Sequence, residues 1–393
     1  RIAEPIAYIA LYGALYAAFG AASPFWPKLF ETRALTPQQI GAILAAAMLV
    51  RLVSGPCVGR FADVLGSLRS VLASCAVLAA AAAAALMEAD TFWLLLLIAL
   101  IQAAALAPTT SIADALSVNA AKPQMAGRLF EYGRIRGSAS AAFVVGTLLV
   151  GQLIGPADLA PVIWMNTSLL IAAACATALV PVATAQAAPR TGPSRAMGDV
   201  HALLTIPRFR TLLVVSALVY GSHAMQEAFA VIRWSDAGIG TSAISFLWSE
   251  AVAAEVLVFL LVGPALIDRI GVKGAAALAA AAGITRWLIA GMTTSVLLLT
   301  VIQPLHGLTF ALLHLACMRM MGTVVPTRVA ATAQALYAFC SGLLTAALTL
   351  LSGILYARYA GAAFLAMAAI CAVALPFAWF GFAGQSDRAI GPH

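Results

Sequence analysis

The feature that most constrains this chain is a succession of apolar blocks, each about twenty residues long and set apart by short polar turns. An α-helix rises about 1.5 Å per residue, so one such block spans the roughly 30 Å hydrocarbon core of a bilayer. The blocks run over roughly 6–27, 38–60, 70–87, 93–115, 133–155, 162–181, 211–233, 243–266, 274–292, 296–318, 330–356 and 361–382. They predict an all-α membrane protein with twelve transmembrane helices. Only 9% of residues are charged and 63% are hydrophobic, whereas soluble domains carry roughly 25% charged residues. The first block is longer than the apolar region of a signal peptide and no cleavage site follows it, so it reads as a retained span.

The basic residues orient the spans. With both termini placed in the cytoplasm, sixteen of the 22 Lys and Arg residues fall on the cytoplasmic side. Only Lys28, Arg33, Arg233 and Arg358 fall outside, and Arg51 and Arg286 fall within spans. This asymmetry is the positive-inside pattern. The net charge of +7 is scattered singly over short loops, without the clustered face or aromatic interleaving that nucleic acid requires. All six cysteines lie in apolar blocks without CxxC spacing, so neither a disulfide framework nor structural zinc is expected. No Walker A sequence or soluble nucleotide-binding domain is present, which argues against direct ATP drive.

A polar stretch at 182–210 divides the blocks six and six. The expected organisation is a six-helix bundle over 1–181, a cytoplasmic linker over 182–210 and a second bundle over 211–393. A repeat supports this division. After the second block the chain reads Gly59-Arg60-Phe61-Ala62-Asp63-Val64-Leu65-Gly66-Ser67-Leu68-Arg69, and after the eighth Asp268-Arg269-Ile270-Gly271-Val272-Lys273. Asp, two residues, Gly and then a basic residue thus occur at matching places. Glycine permits a sharp reversal. The Asp can hold basic groups or a helix N-terminus in one conformation and release them in another. A plain topogenic turn is the alternative. Two homologous halves with a site between them at the membrane midplane form a transporter architecture.

These loops resemble the signature of the major facilitator superfamily, Gly-x-x-x-Asp-(Arg/Lys)-x-Gly-(Arg/Lys)-(Arg/Lys). Gly59, Asp63 and Gly66 match, while Val64, Ser67 and Leu68 replace basic residues and Arg69 stands in for them. The resemblance implies two pseudo-symmetric six-helix bundles and a conformational latch at Gly59, Asp63, Gly66, Arg69, Asp268, Arg269, Gly271 and Lys273. Further segments are similar to the 3-phenylpropionate permease group, relatives of galactoside/proton symporters. They are Pro24-Phe25-Trp26, Leu35-Thr36-Pro37, Arg51, Phe130 to Arg136, Leu247-Trp248-Ser249, Glu255, Arg286-Trp287, Gln303 to His306, His314 and Met318-Arg319. Glu227 and Glu250 depart from that pattern. Bacterial inner membrane, proton coupling and a small organic substrate are what the likeness implies.

An ionisable residue mid-span costs about 2.5–3.5 kcal/mol on insertion scales, so each is a candidate site. Arg51 lies mid-way along the second block and Glu255 at nearly the equivalent place in the eighth. An arginine can fork onto a carboxylate, and a buried carboxyl can take up a proton; otherwise each locks its own bundle. His223 and Glu227 stand four apart, on one helical face, and can form a proton relay or face a water-filled vestibule. Arg286 and His306 are expected at similar depths. The galactoside symporters place a Glu three residues after the matching His, where this chain has Thr309. Their likeness also makes Arg136 a substrate ligand or a cytoplasmic gate. Tyr12, Tyr16 and Phe19 share a face of the first helix, which either packs on a neighbour or stacks on an aromatic substrate. His314 and Met318 are too few for a metal site, so neither metal nor cofactor is expected.

The reading is a proton-coupled secondary transporter, acting as a monomer, for a small organic or aromatic carboxylate. A sugar or nucleoside symporter and an exporter of amphipathic compounds stay open, as does a receptor or scaffold on the same fold. Enzyme chemistry is not expected, because no nucleophile or metal constellation accompanies the ionisable groups.

Overall fold

The computed structural model describes residues 4–120, 132–155, 158–180 and 193–382. Among them the chain is helical throughout, in the order α1 (Glu4–Ala22), α2 (Trp26–Thr32), α3 (Pro37–Leu65), α4 (Leu68–Ala85), α5 (Phe92–Leu106), α6 (Thr109–Ala120), α7 (Tyr132–Leu153) and α8 (Ala160–Thr177). There follow α9 (Pro193–Leu204), α10 (Pro207–Gly221), α11 (Ala224–Asp236), α12 (Thr241–Leu257), α13 (Gly263–Met292), α14 (Val296–Ile302), α15 (Leu313–Val324), α16 (Ala330–Tyr359) and α17 (Phe364–Gly381). Local chemistry sets several starts. Before α3, Gln39 N–H donates to Thr36 Oγ1 at 3.3 Å and Thr36 N–H to Gln39 Oε1 at 2.9 Å, a reciprocal capping box, with Pro37 at the first helical position.

Each apolar block is helical, but some blocks are built in two pieces. Pro108 lies in the break between α5 and α6, Ser222 and His223 lie between α10 and α11, and π turns at Val258–Val262 and Gly307–Leu312 interrupt the eighth and tenth blocks. Such bends expose backbone groups that side chains then satisfy. Seven stretches among the described residues are long and apolar enough to cross a bilayer, or nine if each of two bent pairs is one span. Two of the seven, Thr241–Met292 and Thr327–Gly381, are 52 and 55 residues long, more than one crossing needs.

The chain forms two compact units, Arg1–Ala188 with Ala228–Ser249 and Pro189–Glu227 with Glu250–His393. Unit 1 buries the side chains of Tyr8, Leu11, Tyr12 and Leu15 from α1 against Leu72 and Ala79 of α4, Ile112 and Leu116 of α6, and Leu170 of α8. At one of its ends Lys28 Nζ lies 3.1 Å from Asp236 Oδ1 and Arg33 pairs with Asp90. Unit 2 has its own core of Phe209, Leu212, Ala276, Leu313, Cys317, Tyr337 and Ala378. Large apolar side chains such as Trp93, Met292 and Phe380 stand more than two-thirds exposed, which suits a lipid-facing surface.

Gly66 and Gly271, the glycines of the repeated Asp-x-x-Gly sequence, have φ of 65° and 71°. Left-handed backbone is the conformation glycine adopts without a Cβ penalty, and here it follows the end of α3 at Gly66 and breaks α13 into two helices at Gly271. The repeat therefore extends from residue type to backbone geometry.

Candidate functional site

In unit 2 the break between α10 and α11 turns polar groups inward. Trp287 Nε1 of α13 donates to Ser222 Oγ at 2.8 Å. His223, 5% exposed, has its Nδ1 at 3.0 and 3.2 Å from the carbonyl oxygens of Val219 and Tyr220. Carbonyls only accept, so Nδ1 carries the proton and fixes the tautomer. Nε2 then accepts from the Thr309 hydroxyl, 2.9 Å away.

The same logic orders the neighbouring imidazole. Arg286 Nη1 lies 3.0 Å from His306 Nδ1. A guanidinium has no acceptor, so Nδ1 of His306 accepts and its Nε2–H points outward. Glu255 Oε2 is 3.4 Å from that Nε2. The Arg286 guanidinium also donates through Nη2 to Gln303 Oε1 at 2.9 Å and lies 4.6 Å from the Trp287 ring centre. His223 and His306 face each other edge-on, 5.2 Å between ring centres.

Helix contact makes this possible. A Cβ at Gly307 would fall 2.7 Å from the carbonyl oxygen of Ala254, so glycine lets the tenth block approach the backbone beside Glu255. His306 and Thr309 sit at and within the π turn, and Glu255 lies just before the other one. Such turns often mark functional sites. Arg286 and Gln303 are each 1% exposed, and among the described residues Arg286 Nε and Gln303 Nε2 have no hydrogen-bond partner. Among the described residues no carboxylate lies within 4 Å of the guanidinium; Glu227, which is itself exposed, acts on it electrostatically from further off.

The sequence offers His223 and Glu227 as a relay or as residues facing a vestibule; the ring nitrogens of His223, in the break between α10 and α11, are engaged by Thr309 and by the Val219 and Tyr220 carbonyls. His314, weighed as a metal ligand, has its Nδ1 3.1 Å from the hydroxyl of Tyr337, which in turn lies 2.7 Å from that of Tyr220.

The candidates of unit 1 behave differently. Tyr12 is fully buried and its hydroxyl donates to Asp114 Oδ1 at 2.5 Å, with Ser117 Oγ 3.1 Å away. Tyr16 stacks on Tyr12 at 6.0 Å, and Phe19 meets Tyr16 edge-on at 5.5 Å; both are half-buried. Arg51 lies mid-way along α3, exposed. Among the latch candidates, Arg69 Nη1 donates to the Val180 carbonyl at 3.2 Å. Asp268 accepts from Arg319 Nη1 at 2.6 Å, and Lys273 Nζ lies 4.1 Å from the Trp379 ring centre. Gly59 falls within α3 and Arg269 is exposed on α13. The side chains of Arg136 and Asp63 lie outside the described residues.

A buried cation thus sits among neutral partners, one imidazole from a carboxylate, and similarity to known proteins decides the family. The model of the MFS_1 like family matches residues 6–368. The chain belongs to that family. It is 30% identical over 369 residues to a probable 3-phenylpropionic acid transporter of Escherichia coli (strain K12), covering 93% of this chain and 94% of that one. It is 26% identical over 367 residues to a maltose permease of Geobacillus stearothermophilus, covering 92% and 90%. A crystal structure of the nucleoside transporter NupG superposes with a TM-score of 0.85 at 18% identity, covering 98% of this chain and 100% of that one. This MFS_1 like chain is therefore a major facilitator transporter rather than an enzyme.

Proposed function

We propose that this chain is a secondary active transporter for a small organic anion, with an aromatic carboxylate as the first candidate, coupled to protons and working by alternating access in the bacterial inner membrane. The supporting observation is the fully buried Arg286, whose hydrogen bonds go to neutral groups and whose Nε is unpaired. A guanidinium in that state is costly unless a ligand completes it, and a carboxylate fits its fork. The 3-phenylpropionic acid relative agrees with this choice. Arg51 and Arg136 are the first half's candidates for the same anionic group, with Tyr16 and Phe19 for the ring.

For coupling, Glu255 is the carboxylate that exchanges a proton. Protonated, it releases His306 Nε2–H; ionised, it accepts from it. Arg286 on the other ring nitrogen makes this exchange sensitive to whatever binds the guanidinium. His223 acts through Thr309, whose hydroxyl donates to His223 or to the His306 carbonyl 3.2 Å away. Twelve spans in two halves, 1–181 and 211–393 joined by 182–210, with both termini cytoplasmic, complete the proposal; the shared left-handed glycines and the basic-residue asymmetry support it.

A neutral sugar or nucleoside is the second reading, favoured by the maltose permease and nucleoside transporter relatives and by Gln303 Nε2, which has no partner among the described residues and suits a neutral acceptor equally. Uptake into proteoliposomes separates the two. Accumulation of 3-phenylpropionate under an inward proton gradient, with maltose and uridine excluded, supports the anion reading. Uptake of either neutral compound without the acid overturns it.

A further inference from the structure

At one end of unit 2 a cavity of about 410 Å³ lies between α10, α13, α15 and α17, within the roughly 300–1,000 Å³ range of small-ligand sites. Among the described residues its wall carries two cations, Arg208 from the first turn of α10 and Lys273 just beyond Gly271, and no Asp or Glu. Thr323 adds a hydroxyl, and Trp379 and Phe382 close the side formed by the end of α17. Both cations are half-buried. Lys273 is held over the Trp379 ring at 4.1 Å and pairs with no carboxylate among the described residues. Of the nearby acids, Asp268 is already paired with Arg319.

Lys273, which pairs with no carboxylate among the described residues and shares the cavity wall with the Arg208 guanidinium, suits an anion, and the rim says more. Trp379 is 48% exposed, Ile270 38% and the adjoining Phe380 77%. An anionic group bound between Arg208 and Lys273 would thus sit beside exposed apolar side chains at the end of a membrane helix. Indole at this depth is typical of the boundary between headgroups and acyl chains. A soluble anion gains nothing from that rim, whereas an amphipathic one lays its chain against it. Basic pockets between membrane helices suit phospholipid head groups.

We propose that this cavity is a specific binding site for the phosphate of an anionic glycerophospholipid, with Arg208 and Lys273 gripping the phosphodiester and Trp379 and Phe380 flanking the acyl chain. The site is separate from the Arg286 cluster and does not depend on which solute is carried.

The test is a lipid titration of the full chain in detergent, followed by native mass spectrometry. Its arms are phosphatidylglycerol, phosphatidylcholine of the same acyl chains, and glycerol 3-phosphate. Phosphatidylglycerol should bind with clear preference over phosphatidylcholine. Each cation removed should weaken it roughly fivefold, so the Arg208→Gln/Lys273→Gln pair should lose about 25-fold. Arg210→Gln, adjacent but outside the cavity wall, should keep the preference, and so should the conservative Lys273→Arg. Equal binding of the two lipids by the parent protein overturns the site, as does an undiminished preference in the doubly substituted protein. Displacement of phosphatidylglycerol by an equal concentration of glycerol 3-phosphate overturns the lipid assignment in favour of a soluble phosphate. Should the double variant fail to fold, the ratio between the two lipids in the parent and in Lys273→Arg still decides.

Discussion

In unit 1 one group of buried polar side chains closes on itself: Tyr8 donates to the Leu116 carbonyl, Tyr12 to Asp114, and Gln102 to Asn166, which donates in turn to the Ala18 carbonyl, while hydroxyls such as those of Ser54, Thr167 and Ser249 have no partner among the described residues. In unit 2 the buried polar groups form an unfinished set, with Arg286 Nε and Gln303 Nε2 lacking partners and a carboxylate held at 3.4 Å from an imidazole. Satisfied bonds of the first kind each contribute about 1 kcal/mol and tie helices together. An incomplete charged set costs stability and is kept where a ligand or a proton completes it. The difference lies between these two clusters, the closed tyrosine, acid and amide bonds of unit 1 and the open Arg286 set of unit 2, rather than between the units as wholes.

The comparison breaks most easily at Arg286. Arg286→Gln should lower affinity for an acidic substrate by about 10–100-fold, the equivalent of one charge-assisted hydrogen bond of about 1.5–3 kcal/mol. The ligand-free protein should melt at the same temperature or higher, because a buried charge without a paired acid is removed. Thermal-shift titration reads both. Unchanged affinity with a lower melting temperature would place Arg286 among the scaffold bonds. Arg51→Lys and Arg136→Lys, assayed alongside, report whether the anion is also held from the first half.

Glu255→Gln tests the second working group. The amide mimics the protonated acid, so gradient-driven accumulation should fall to the equilibrium ratio while counterflow exchange persists. If Glu255→Gln and Glu227→Gln both accumulate substrate like the parent protein, neither carries the coupled proton.

On the scaffold side, Tyr12→Phe removes one hydroxyl with two oxygen neighbours. Its expected cost is about 1–2 kcal/mol of stability, with the larger share from leaving Asp114 less satisfied. Uptake should stay near the parent level. A large loss of uptake at unchanged stability would move Tyr12 to the substrate side of the comparison.

These contrasts were legible in the sequence to different degrees. The helices and their approximate ends follow from block length alone, since backbone in lipid must bond within its own segment. Arg286, His306 and Glu255 declare themselves because charge inside an apolar block is expensive. Their mutual contacts do not, being set by helix packing at Gly307 and by two π turns that no local pattern marks. His223 points to Thr309, 86 residues away, only because the chain breaks at Ser222. The tyrosine stripe reads as packing before substrate surface, and the partner of its Tyr12 hydroxyl, Asp114, 102 residues away, is not marked in the sequence.

The smallest effect is expected where the two units are most alike, at the repeated loops. Asp268 and Arg319 form a hydrogen-bonded pair at 2.6 Å, yet their side chains are 65% and 47% exposed. In such surroundings water screens the attraction and two long side chains lose freedom to keep it, so the pair contributes about 0–1 kcal/mol. Asp268→Asn and Arg319→Gln should therefore each shift the melting temperature little, and a double-mutant cycle should return a coupling within that range. Transport is the sharper readout. A latch that is made in one conformation and broken in another changes the rate of interconversion without needing to stabilise the fold. If Asp268 serves in this way, Asp268→Asn slows exchange under saturating substrate while affinity and melting temperature stay near the parent values. If exchange is also unchanged, the Asp is a turn residue, and the left-handed Gly271 beside it carries the loop's geometry on its own.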